Sequence, residues 1–176
     1  MFLSGRELWT IFHGMFLGGL LLLFFPIVLL GLWGFRTGWF TETGIQKNVC
    51  FLNVGSWIIA ILSWLTMITG TYIPYPWYRA EPPSGADLTQ FPMAYLLANP
   101  RLAFWEDYCM EWKEHIGWFV PILTTAVAYI LMRYGDRLKE DMKIRNALIV
   151  LLLIAFVLSG ISGLLGALVS KIAPVR

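Results

Sequence analysis

Leu8 to Phe35 reads LWTIFHGMFLGGLLLLFFPIVLLGLWGF, a run with no acidic residue, no lysine and no arginine, and with a single histidine, His13. A helix needs about 20 apolar residues to cross a hydrocarbon core of about 30 Å. The run exceeds that length, so it reads as a membrane-spanning helix. It is too long for the hydrophobic segment of a secretory signal and lacks a small-residue cleavage site, so it is expected to be retained.

Working outward, the remaining composition agrees. Hydrophobic residues make up 58% of the 176, charged residues 14%, and the mean hydropathy is +0.67, against about 25% charged in soluble domains. Four stretches are long and apolar enough to span, at about 8–34, 50–72, 112–133 and 146–170. Alternating short strands of the kind that close a membrane barrel are missing. The expected fold is therefore all-α: one integral membrane domain over residues 1–176, a four-helix up-and-down bundle. Pro26 and Pro121 are expected to bend the first and third helices.

The connections differ in kind. Arg36 to Lys47 is short and turn-like, with Gly38 and Gly44, and Tyr134 to Arg145 is short and basic. The link after the second span is long: Tyr72-Ile73-Pro74-Tyr75-Pro76-Trp77-Tyr78 suits a membrane interface, and Pro82-Pro83-Ser84-Gly85 marks a turn. Asn99-Pro100 then looks like a helix start. From there one continuous surface helix is expected to run into the third span near Trp112. This loop and surface-helix extension lies on the face that holds both termini.

Basic residues orient the bundle. The face opposite the termini carries Arg36, Lys47, Arg133, Arg137, Lys139, Lys143 and Arg145 in two short loops, and the other six of the thirteen are spread over the termini and the long link. That density makes the opposite face cytoplasmic and the termini periplasmic, in an inner membrane. A formal charge of +2 without a basic stripe excludes a nucleic-acid partner. Cys50 and Cys109 fall at opposite membrane faces, too far apart for a disulfide, and the absence of C-x-x-C-H excludes covalent haem attachment.

The conspicuous chemistry is a pair of histidines. His13 opens the first span and His115 the third, and both helices start from the same face, so the imidazoles are expected at similar depth. In an up-and-down bundle these helices stand diagonally across the core. Two imidazoles there fit both axial positions of a haem iron, a coordination suited to electron transfer because no open position remains. Small residues gather at the same depth, with Gly14, Gly18 and Gly19 in the first helix, Thr66, Thr69 and Gly70 in the second, and Gly160, Gly163 and Gly166 in the fourth. Such vacancies suit a tetrapyrrole, although small residues also serve close helix packing in lipid. Arg6, two turns before His13, is a candidate partner for a haem propionate, as are Arg79, Arg101, Lys113 and Lys171. Cys109, Glu111, Glu114 and His115 form a weaker cluster, too poor in histidine for a catalytic metal. No hydrolase triad, phosphate loop or buried acid pair is present.

On these residues the chain resembles the four-helix membrane cytochromes b, whose haems are held by histidines on transmembrane helices. The resemblance covers the bundle and the positions of His13 and His115, without a specific family motif. Many such proteins stack two haems on four histidines, whereas this chain has one pair. It implies one non-covalent haem b near the terminal face, held by His13 and His115 with Gly14, Gly18, Gly163 and Arg6 around it. The implied role is an electron-transfer subunit rather than a stand-alone enzyme, exchanging electrons with membrane quinol, a periplasmic cytochrome or other subunits of a respiratory or photosynthetic complex, with membrane lipid around it. Two other readings stay open: a chlorophyll-binding antenna or photosystem subunit with one histidine per pigment, and a cofactor-free scaffold or anchor.

Overall fold

The computed structural model describes residues 3–37 and 42–173, with the side chains of 36–37 and 42–46 excepted. Among the described residues the chain is helical without strands, and four helices are long and apolar enough to cross a membrane: Gly5–Phe35, Lys47–Tyr78, Trp105–Arg137 and Met142–Ile172. They are called spans 1 to 4 below. Each exceeds the stretch expected from hydropathy, because capped or amphipathic turns extend it into the interface. Ser4 starts span 1 as a capping box: its hydroxyl accepts from Glu7 N–H at 3.2 Å and Glu7 Oε2 accepts from Ser4 N–H at 2.7 Å. Asp141 caps span 4 by accepting from the N–H groups of Lys143 and Ile144.

Span 1 packs on spans 2 and 4, and span 3 packs on the same two, so spans 1 and 3 are diagonal. Close approach fixes the register. A Cβ on Gly31 would fall 2.6 Å from Leu52 Cδ2 and one on Gly55 2.9 Å from Val28 Cγ2, so a larger residue at either place would push these side chains aside. Spans 2 and 3 are joined in the buried core by Ser63 and Thr124, whose hydroxyls lie 2.9 Å apart. The main core gathers Phe25, Val28, Leu32, Leu52, Ile59, Val127 and Leu152, all fully buried. Leu23, Leu30, Ile61, Ile122 and Val157 point outward instead, as expected where the surrounding solvent is hydrocarbon.

A second, smaller core closes the terminal face: Tyr78, Leu96, Cys109, Met110, Val169 and Ala173. It draws in the long link, which carries a 3-10 turn at Leu88–Gln90 and a short helix at Pro92–Leu97. The surface helix expected from Pro100 onward takes another form. Residues 98–103 are turns, stabilised by Asn99 Oδ1 accepting from Arg101 N–H at 3.0 Å, and helix begins only at Phe104. Span 3 is then interrupted twice before it becomes regular. Trp105–Met110 is a π turn, and the short helix Glu111–Ile116 ends in a turn at Gly117–Trp118. Pro121, lacking an N–H, cannot bond the Gly117 carbonyl, which accepts from Val120 N–H at 3.2 Å instead.

On the opposite face Arg145 departs from its expected place among solvated loop cations. It is only 4% exposed, and its Nη1 donates to the carbonyls of Phe35 (3.3 Å) and Leu138 (3.2 Å). The turn expected at Gly38 lies outside the described residues. Helix already resumes at Glu42, so Gly44 is helical rather than part of a turn.

Candidate functional site

Span 1 is not a regular α-helix where it carries its histidine. Phe12–Leu17 is a π turn, in which Gly18 N–H donates to the carbonyl of His13 itself, five residues back. Single π turns inside α-helices are frequent at functional sites. The chain holds two among the described residues, the second being Trp105–Met110 just before His115.

The His13 ring lies against span 2. Its Nδ1 is 3.3 Å from Thr69 Oγ1. The Thr69 hydroxyl donates to the Leu65 carbonyl at 2.7 Å, so it is left to accept from Nδ1–H. The ring also bonds to the backbone of Thr66, so span 2 holds it through two neighbouring residues. Gly70 makes room for the ring: a Cβ there would stand 2.9 Å from Nε2 and closer still to Cε1.

His115 is held in the same sense. Its Nδ1 is 2.8 Å from the Glu111 carbonyl, one turn back, and 3.6 Å from Glu111 Oε2. A carbonyl only accepts, so Nδ1 carries the proton and Nε2 is left as the acceptor nitrogen of this ring. Fixing one ring nitrogen by a carbonyl or hydroxyl so that the other is presented as a base is the arrangement found around ligating histidines. The contacts of His13 with Gly70 and of Met67 with Gly117 bring both histidines to one level, within about one helical turn of about 5.4 Å.

The rings do not face each other. The His115 side chain is 73% exposed and Glu111 50% exposed, on the outer face of span 3 with the stacked and exposed pair Phe104 and Tyr108. The inward place on this short helix belongs to Lys113, whose Nζ would lie 2.8 Å from a Cβ on Gly166 of span 4.

The expected small-residue vacancy is thus divided. Gly70 and Gly166 are already approached by His13 and Lys113, and Gly18 lies under the His13 carbonyl, 3.6 Å from its would-be Cβ. At Gly14, Gly19, Gly160 and Gly163 a Cβ would meet nothing within 4 Å, and Gly14 and Gly163 are exposed. At Gly14 and Gly163 the open side faces the bundle surface. Arg6 is half-buried, its carbonyl accepting from the Thr10 hydroxyl at 2.8 Å.

Polar groups gather around this end, of which the sequence had singled out Arg79 and Glu114 but not the Tyr78–Glu106 contact. The Tyr78 hydroxyl donates to Glu106, with the two residues 5% and 7% exposed. Arg79 Nη1 donates to the Tyr75 hydroxyl at 2.7 Å, and Glu114 lies beside Tyr75. One Glu114 oxygen is buried without a hydrogen-bond partner among the described residues. The signal available in the sequence was the density of acids just before His115 facing the Tyr-rich exit of span 2. No group of three or more His, Cys, Asp or Glu side chains that could hold a metal ion occurs among the described residues, so the donors at hand are two separate imidazoles. Comparison with protein families, curated proteins and solved structures finds no match.

Proposed function

We propose that this chain is a membrane-bound b-type cytochrome subunit that holds one haem near its terminal face, with His13 and His115 as the ligands. One observation supports the assignment: both imidazoles are held through Nδ1 beside an oxygen acceptor, at one depth in the membrane. A b-type haem supplies a one-electron iron couple. The chain's own part is to hold the two imidazoles, to leave an open side at Gly14 and Gly163 with Gly18 beneath the His13 carbonyl, and to offer Arg6 to a propionate. Electrons are exchanged with quinol in the adjoining leaflet, with a periplasmic cytochrome or with neighbouring subunits, for which the link before span 3 is the docking surface.

Orientation follows from the cations that are solvated. Lys47, Arg133, Arg137, Lys139 and Lys143 stand exposed on the face opposite the termini, against Arg79, Arg101 and Lys171 on the terminal face. Their greater number on the opposite face supports a reading in which that face is cytoplasmic and the chain lies in an inner membrane.

The outward position of His115 favours a second reading, in which each histidine separately ligates a chlorophyll-type pigment at the lipid-facing surface. Absorption separates the two. A dithionite-reduced spectrum with haem b bands and a pyridine haemochrome supports the cytochrome, and pigment bands support the second reading. His13→Ala and His115→Ala are each expected to abolish haem retention while the protein still inserts. Normal haem content in either variant would sink the paired assignment.

A further inference from the structure

Along span 4, Arg145, Leu148, Leu152, Ala155 and Val169 are buried at helical spacing, which marks the side turned into the bundle. Ser159, Ser162 and Gly166 continue that side between Ala155 and Val169 at the same spacing. The Oγ atoms of both serines are buried without a hydrogen-bond partner among the described residues. Ser63, Thr66 and Thr125 bond back to carbonyls of their own helices, Ala60 at 2.8 Å, Leu62 at 2.7 Å and Pro121 at 2.6 Å. Ser159 and Ser162 do not, although an unpaired buried hydroxyl is costly in hydrocarbon. Beyond them the inward side turns apolar at Ala155, Leu152 and Leu148, in the main core with Leu21 and Phe25.

Span 3 brings charge to the same stretch of interior. Lys113 points in with its ammonium beside Gly166, one turn from Ser162, and His13 of span 1 lies within its electrostatic reach. Glu114 joins this interior to the surface. It meets the Tyr75 hydroxyl, which accepts from the exposed Arg79 at 2.7 Å, while its Oε1 is buried without a partner among the described residues. Tyr78 and Glu106 also face Glu114 from the ends of spans 2 and 3, and Lys113 is its inner neighbour. The set holds a donor in Nζ, an acceptor in Oε1 and hydroxyls that serve as either. An anion would be met by the donors alone and a metal ion by the acceptors alone. Water meets both.

We propose that this polar stretch is a one-sided water inlet that carries protons from the terminal face to the middle of the bundle. Glu114 stands at its mouth, Lys113 at its neck, and Ser162 and Ser159 at its closed end. The Glu114 carboxylate takes a proton from water at the mouth and returns it to water on the inner side, which restores the carboxylate. Each serine hydroxyl accepts from one water and donates to the next. Chains of ionisable groups inside a membrane bundle serve such relays. The main core shuts the far end, so the inlet supplies protons to the membrane interior without conducting them across. Nothing in it depends on a cofactor at His13 or His115.

The test is deuterium exchange at thiols placed along this side of span 4, in the full chain reconstituted in lipid vesicles. Ser162→Cys, Ser159→Cys and Leu152→Cys are transferred to deuterium oxide, and loss of the S–H infrared band is followed as a difference from the unsubstituted chain, so that Cys50 and Cys109 cancel. The amide bands of the same samples check that each variant is folded. The thiols at 162 and 159 are expected to exchange many-fold faster than the thiol at 152. Glu114→Gln, whose amide cannot take up the proton, is expected to slow both several-fold, and Glu111→Gln on the outer face is expected to leave them unchanged. Equal exchange at all three positions overturns the inlet. Exchange at 162 and 159 that ignores Glu114→Gln, or that Glu111→Gln slows as much, overturns the proton path through Glu114.

Discussion

His13 Nδ1 stands 3.3 Å from Thr69 Oγ1, and the threonine's own proton is committed to the Leu65 carbonyl. Span 2 therefore holds the imidazole of span 1, through Thr69 and through the backbone of Thr66. Thr69→Val keeps the shape and removes this acceptor, leaving the ring only its bond to the Thr66 backbone. Loss of such a supporting hydrogen bond typically costs about 10–100-fold in metal affinity, and haem retention by purified Thr69→Val is expected to fall in that range. Thr69→Ser, which keeps the hydroxyl, is expected to restore it. Equal retention in the valine and serine variants would show that the hydroxyl does not position the ligand.

The glycines at this depth separate into two kinds, and the difference is measurable. At Gly70 an added methyl collides with the His13 ring, and overpacking of this sort costs about 1–3 kcal/mol. Gly70→Ala is expected to lower the thermal midpoint. Gly14 and Gly163 have open space where a Cβ would stand, and a helical Gly→Ala exchange is favourable by up to about 1 kcal/mol. Gly14→Ala and Gly163→Ala are expected to hold or raise the midpoint of the haem-free protein while lowering haem retention. Unchanged retention in both would mean that the space beside them is not used.

How far the sequence carried these conclusions varies along the chain. The four spans and their diagonal order were legible because a long apolar run in water has no soluble alternative, and because short loops force antiparallel neighbours. The faces of span 3 were not. Helical periodicity projected through Leu102, Trp105 and Tyr108 assumes uniform winding, and the π turn at Trp105–Met110 breaks that phase before His115. Lys113 read as a surface cation because nothing in its neighbours announces Gly166, a glycine more than fifty positions later that gives its side chain a place to lie. Arg145 sat in a basic loop by composition, and only the fold shows that two helix-end carbonyls converge on it.

Tyr78 and Glu106 form the buried polar contact of the small core beneath the long link. Tyr78→Phe leaves the Glu106 carboxyl group without its donor among apolar neighbours, and an unsatisfied buried group costs about 1–3 kcal/mol. The loss is expected to appear locally, as faster proteolysis of the link Arg79–Asn99 in the intact protein. Glu106→Gln retains an oxygen that accepts the phenol proton, so its link is expected to be cut more slowly than that of Tyr78→Phe. Identical cleavage rates in the wild-type and Tyr78→Phe proteins would remove the latch role.

Arg145 tests whether the two faces of the bundle act independently. Its guanidinium gathers the Phe35 carbonyl, at the end of span 1, and the Leu138 carbonyl in the loop before span 4, where a cation also complements the helix dipole. Arg145→Met fills a similar volume and removes the guanidinium's bonds to both carbonyls, for an expected loss of about 1–3 kcal/mol. Arg145→Lys, a single point charge without the planar fork, is expected to fall between the two. Because the histidines lie at the other end of the bundle, haem retention by folded Arg145→Met is expected to match the wild type at temperatures below its midpoint. Haem loss at those temperatures would show instead that the opposite face governs the spacing of the spans at the histidines.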